Sequence, residues 1–123
     1  MRLTFKGGVH PFEGKEMSQD CPVEKYLPKS DLAYPLSQHI GAPAKPVVAK
    51  GDHVLAGQMI AEAGGFVSAP VHASVSGTVK GIEKRLTATG SMVDSIIVEN
   101  EGLYEEVEFH PVDPASLTRE EII

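Results

Sequence analysis

The chain has 123 residues, 41% hydrophobic and 23% charged, which is enough for one domain with a core that needs no disulfide. Eleven basic against seventeen acidic residues give a net charge of −6; this argues against a nucleic-acid partner, which takes clustered Lys and Arg, and gives no attraction to anionic lipid. Cys21 is the single cysteine, so the chain forms no internal disulfide and holds no iron–sulfur cluster by itself, and no apolar run approaches the roughly 18 residues of a membrane span.

The opening Met-Arg-Leu-Thr-Phe-Lys lacks the apolar run of a signal peptide, so a cytoplasmic location is expected. Residues 1–45 carry punctuation instead of periodicity: Gly7-Gly8, His10-Pro11, Cys21-Pro22, Leu27-Pro28, Tyr34-Pro35, Ala42-Pro43 and finally Lys45-Pro46. Each proline removes a donor and pushes its predecessor towards extended geometry. An extended arm docking on a globular body is expected here, with a short strand over 31–36. Apolar anchors at Val9, Phe12, Tyr26, Leu27, Tyr34, Leu36 and Ile40 favour docking over the alternative, a disordered tail.

Residues 46–112 read as short strands joined by turns. Lys50-Gly51-Asp52 is a turn, since Gly takes positive φ cheaply and Asp bonds nearby backbone. A strand is expected over 58–63, broken by Gly64-Gly65. Over 77–84, Thr78, Lys80 and Lys84 alternate with Val79 and Gly81. A hairpin loop follows over 85–91, and the β-branched run 92–98 is expected as a central strand. Strands of this length with glycine-rich turns predict an all-β sandwich or barrel.

Residues 113–123 read as a linker and the start of a helix. Thr118-Arg119-Glu120-Glu121 matches a capping box, in which Thr118 caps the Glu121 amide and Glu121 returns a bond, with Leu117 and Ile122 as the hydrophobic staple. So complete a helix start beside Ile123 leads us to expect an N-terminal piece of a longer polypeptide.

Chemistry-bearing patterns are sparse. The five histidines, His10, His39, His53, His72 and His110, lack tight ligand spacing, so no metal site is expected. His39 and His72 border the same sandwich; hydrogen bonding to local backbone, fixing the loops after Leu36 and Val71, is their expected role. Ser74 and Ser76 lie near His72 without a base across a cleft or an oxyanion site, and Ser76-Gly77 reads as a turn. Gly64-Gly65 lies between strands and not before a helix, as a phosphate cradle requires. Glu99, Glu101, Glu105, Glu106 and Glu108 are expected on solvated edges. No catalytic, cofactor-binding or metal residue is expected in the chain.

Two phrases carry the fold. V-x-x-G-D-x-V-x-x-G-Q-x-I runs from Val48 to Ile60, and A-P-V-x-A-x-V-S-G-x-V from Ala69 to Val79. They resemble lipoyl and biotinyl carrier domains, which attach a cofactor to a lysine at a hairpin tip. The corresponding tip here is Gly64, Gly65, Phe66, Val67 and Ser68, with no amine, and no lysine occurs from Gly51 to Val79. A carrier modified elsewhere, at Lys80, remains an alternative. Phe66 flanked by glycines presents apolar area, which points to a contact surface for another domain.

Two further phrases, Phe5-Lys6-Gly7-Gly8-Val9-His10-Pro11 and Tyr34-Pro35-Leu36-Ser37-Gln38-His39-Ile40-Gly41-Ala42-Pro43, precede these in order. Together the four resemble the N-terminal domain of the C subunit of Rnf electron-transport complexes, over about residues 5–100. Phe12 departs from the second proline common after His-Pro. Equivalent domains occur in the cobalamin reductase of microcompartments, which stays a second candidate, and more distantly in a sodium-pumping quinone reductase. The resemblance implies a barrel-sandwich hybrid fold with no redox residues of its own. It implies a parent that continues into a nucleotide-binding domain, a ligand-grasp-like β domain and a segment with two four-cysteine motifs. Such a parent uses NADH, FMN and 4Fe-4S clusters to pass electrons between ferredoxin and NAD while translocating sodium ions or protons. The implied partners are that nucleotide-binding domain and the complex's membrane subunits, at the inner face of the cell membrane. His10, His39, Phe66 and His72 are the residues expected at the interface.

Overall fold

The computed structural model describes residues 7 and 11–122. Among these, seven strands dominate: β1 (Leu32–Pro35), β2 (Lys45–Pro46), β3 (His53–Val54), β4 (Met59–Glu62), β5 (Val71–His72), β6 (Gly77–Leu86) and β7 (Met92–Asn100). A 3-10 turn, Pro114–Ser116, and a four-residue helix α1, Arg119–Ile122, follow. The strands form two antiparallel sheets, in the orders β1-β7-β6-β3 and β2-β4-β5. The all-β expectation holds.

The longest pairing is the β6–β7 hairpin, in register from Gly77↔Asn100 to Leu86↔Met92. Val79 pairs with Val98 but Gly81 pairs with Ile97, so Lys80 is the extra residue of a β-bulge. The bulge ends the alternation that the sequence extends to Lys84: Gly77 and Val79 are buried between exposed Thr78 and Lys80, whereas every residue from Ile82 to Leu86 is exposed. β6 also runs to Leu86, which shortens the turn to 87–91, closed by Thr87 N–H to Ser91 O at 2.9 Å. β7 lies between β1 and β6, central as its β-branched run implies.

Inward residues of both sheets make one core. Val54, Ile60, Val75, Val79, Ile96 and Val98 are fully buried, with Tyr34, Leu36, Ala44, Ala61, Val71 and Ala73 around them. Burying an aliphatic side chain of this size contributes about 1.5–3 kcal/mol. Gly77 allows the two long strands to approach, since a Cβ there would lie 1.9 Å from Glu99 O.

The stretch read as an arm supplies β1 and, through Lys45, part of β2. Of its apolar anchors, Tyr34 and Leu36 are buried, but Phe12, Tyr26, Leu27 and Ile40 are exposed; Val9 lies outside the described residues. A polar tether replaces the apolar docking expected there. Asn100 Nδ2 and Tyr104 Oη both donate to the Pro28 carbonyl, which holds the chain just before β1. Tyr104 does this from a left-handed backbone, φ 54°, while packing against the core.

At the far end, Ala56 N–H donates to Glu105 O and Val107 N–H to Ala56 O, at 2.8 and 3.0 Å, so residues 105–107 lie alongside the turn between β3 and β4. The capping box forms by half. Glu121 Oε2 accepts the Thr118 N–H at 2.8 Å as expected, but the Thr118 hydroxyl also donates to that carboxylate and does not accept the Glu121 amide, which bonds Thr118 O instead.

Candidate functional site

The two carrier-like phrases form their turns through side chains. Asp52 Oδ2 accepts the Ala49 N–H at 2.8 Å, and Gln58 Oε1 accepts the Leu55 N–H at 3.0 Å. These fix the bends on either side of β3 and aim β4 towards the tip at 64–68.

That tip is clamped. Leu36 N–H donates to Asp94 O and Ala44 N–H to Leu36 O, which closes residues 37–43 into a loop. Gln38 Nε2 donates to Pro35 O at 2.9 Å, across the loop's first turn. Facing the tip, Ala42 N–H donates to Val67 O at 2.9 Å and the Ser68 hydroxyl donates to Ala42 O at 2.8 Å. Ser68 Oγ in turn accepts the Gly64 N–H at 2.9 Å. Contact this close needs glycine on both sides. A Cβ on Gly41, whose φ is +115°, would lie 2.0 Å from Val67 O, and one on Gly64 would lie 1.9 Å from Pro43 O.

His39 completes the clamp. Its Nε2 accepts the Ala69 N–H at 3.0 Å, so the ring proton sits on Nδ1 and donates to Ile40 O at 3.2 Å. This is the backbone-fixing role expected of it. His72, on β5, is exposed and faces the same shallow cleft, lined also by Tyr34, Gln38 and Pro70. His10 lies outside the described residues. The remaining two histidines meet carboxylates: His53 Nε2 lies 3.1 Å from Glu101, and His110 Nε2 lies 3.6 Å from Glu108. Among the described residues, no group of three or more His, Cys, Asp and Glu side chains is placed to hold a metal ion.

What the clamp presents is apolar. Phe66 is 104% exposed and Ile40 92% exposed, with Val67 half-exposed beside Phe66. A second, open groove runs from Pro35 and Ile40 to Leu86, Thr87, Ser91 and Val93 at the β6–β7 turn. Tight loops fixed by bonds thus carry a large apolar side chain at their summit.

The serines serve the fold. Tyr34 Oη accepts the Ser74 N–H and shares a bond with Ser74 Oγ, each at 3.0 Å. Ser76 Oγ accepts the Glu105 N–H at 3.0 Å, which leaves its own proton for the Glu101 carboxylate. That hydroxyl first, and His53 second, hold Glu101 below the usual carboxylate range. Lys80 stands in the bulge and not at a tip, and its Nζ lies 2.9 Å from Asp31 Oδ2, a bond that raises its pKa.

Sequence reasoning picked out His39 and Phe66 but missed Gly41, Ser68 and the Ala42 backbone, whose bonds make them one unit. The G-A-P phrase after His39 was the available signal, since three residues of that loop meet the tip.

Comparison with known proteins agrees with this architecture. The family model for the RnfC barrel sandwich hybrid domain matches residues 3–103. The C subunit of the Na(+)-translocating ferredoxin:NAD(+) oxidoreductase complex of Acetobacterium woodii is 48% identical over 100 residues, covering 81% of this chain and 23% of that protein. The C subunit of the proton-translocating ferredoxin:NAD(+) oxidoreductase complex of Clostridium ljungdahlii is 40% identical over 111 residues, covering 90% of this chain and 24% of that protein. The C subunit of the ion-translocating oxidoreductase complex of Haemophilus influenzae is 36% identical over 122 residues, or 97% of this chain and 19% of that protein. The chain thus spans less than about a quarter of the length of these relatives.

Proposed function

This chain belongs to the RnfC barrel sandwich hybrid domain family, and from that premise we propose that it is the docking domain of an Rnf-type C subunit. Its parent passes electrons between ferredoxin and NAD and couples them to sodium or proton translocation, as the names of the relatives state for those proteins. NADH, FMN and 4Fe-4S clusters belong to other domains of that parent. This domain packs against the nucleotide-binding domain and helps seat the whole protein on its membrane partners from the cytoplasmic side. No helix among its described residues is long and apolar enough to cross a membrane.

One observation carries the reading: a fully exposed Phe66 stands on a tip held to residues 37–43 by three bonds, where carrier domains place a mobile lysine arm. Because the neighbouring backbone is already fixed, a partner pocket that takes the ring has only the side chain left to order, which favours an interface anchor. His39 sets the loop and His72 flanks it; His10 is proposed as an interface residue on its sequence phrase alone.

The test is Phe66→Asp in the full-length protein. Burying a carboxylate against apolar surface is strongly unfavourable, so recovery of the assembled complex in affinity purification should fall about tenfold or more. The isolated domain should keep its unfolding midpoint. Assembly at the wild-type level would remove the docking role of this surface.

A further inference from the structure

Both ring nitrogens of His39 are committed, and in opposite senses. Nε2 is an acceptor for the Ala69 N–H at 3.0 Å, and Nδ1 is a donor to Ile40 O at 3.2 Å. Only the neutral ring with its proton on Nδ1 can make both bonds. A second proton turns Nε2 into a donor facing a donor, so the Ala69 bond cannot persist in the charged ring.

We propose that His39 is a proton-sensitive latch between the 37–43 loop and the residues that follow the Phe66 tip. A proton taken from water onto Nε2 breaks one bond, Ala69 N–H to Nε2, and leaves both groups to solvent. Imidazole is the side chain that makes this change across the physiological pH range. Among the described residues, no carboxylate lines either cleft that His39 borders. The titratable groups facing His39 are His72, across the shared cleft, and the phenol of Tyr34 on β1. The side facing the β6–β7 turn offers Leu86, Thr87, Ala88, Thr89, Ser91 and Val93, none of them charged.

The bonds of Ala42, Gly64 and Ser68 do not involve His39. Acidification therefore loosens the Ala69 side of the tip while the Ala42 side stays shut. The latch is a property of this chain alone; only its consequence for partner docking rests on the function proposed above.

Amide hydrogen exchange of the chain at pH 7.5 and 5.5, corrected for intrinsic rates, reads the latch directly. Ala69 protection should drop roughly fivefold at pH 5.5, about the worth of one net hydrogen bond, while Ala42 protection stays constant. In His39→Gln, Ala69 protection should not depend on pH, and in His72→Gln the wild-type drop should persist. Long-range proton–nitrogen spectra at pH 7.5 should show the His39 proton on Nδ1. A proton on Nε2, a pH-independent Ala69, or a drop abolished by His72→Gln would each overturn the latch. Assembly of the full-length protein into its complex is a separate readout, so loss of docking and loss of the latch are told apart.

Discussion

The phenolic oxygen of Tyr34 joins β1 to the turn after β5, by accepting the Ser74 N–H and sharing a bond with Ser74 Oγ. Its ring is buried in the core, so Tyr34→Phe keeps the packing and removes only the oxygen. The half-buried Ser74 N–H then loses its acceptor, and stability should fall by about 1–2 kcal/mol in urea unfolding. Tyr34→Phe with wild-type stability would mean water replaces the phenol without cost. Glu101 gives a pH-dependent counterpart. Its unfolded carboxyl titrates near 4.5, and Ser76 and His53 hold the folded value lower. Its contribution is therefore complete above pH 4.5 and is lost as pH falls through the folded value. Glu101→Gln should flatten the fall in thermal midpoint below pH 4.5 relative to wild type, and identical pH profiles would deny Glu101 that part.

Among the connecting elements, glycines with the same backbone sign differ in their surroundings. Gly51 has φ +95° with open space around its missing Cβ, whereas Gly41 has φ +115° and faces Val67 O at 2.0 Å. Gly51→Ala should cost about 1 kcal/mol from backbone strain alone. Gly41→Ala adds a clash with backbone and should cost at least about twice that, with lost exchange protection at Ala42; equal costs would mean the clamp yields freely. The strands themselves were legible because β-branched runs and turn glycines are local signals: β1, β4, β6 and β7 fall where expected, within a few residues. The bulge at Lys80 was not legible, because it is set by the register of β6 against β7, and Lys80 looks like any exposed position on an alternating strand. Nor was the Pro28 tether, since its acceptor is a main-chain carbonyl that no residue type advertises. The clamp was half legible. His39 and the glycines mark it, but the Ala42–Val67 and Ser68–Ala42 bonds join positions far apart in sequence, and both use the main chain of Ala42, which no residue type advertises.

Over the whole molecule, the apolar residues divide between two roles that composition cannot separate. Two places beside the edge strands of the four-stranded sheet are closed to main-chain pairing: Pro35 on β1 has no N–H and its carbonyl already accepts Gln38, while Ala56, just after β3, is bonded to residues 105–107. Phe66 and Ile40 are apolar side chains with no use in its core. Ile60 is the opposite case, fully buried where β4 meets the other sheet. Ile60→Ala should lower folding stability by about 2–5 kcal/mol, a large share of the roughly 5–15 kcal/mol that holds a domain of this kind. Phe66→Ala removes a larger side chain yet should leave stability within about 0.5 kcal/mol, because that ring is already in water when the domain is folded. Urea unfolding of both variants decides between the roles. If Phe66→Ala is the more destabilising, the ring supports the domain itself and is no longer free to anchor a partner.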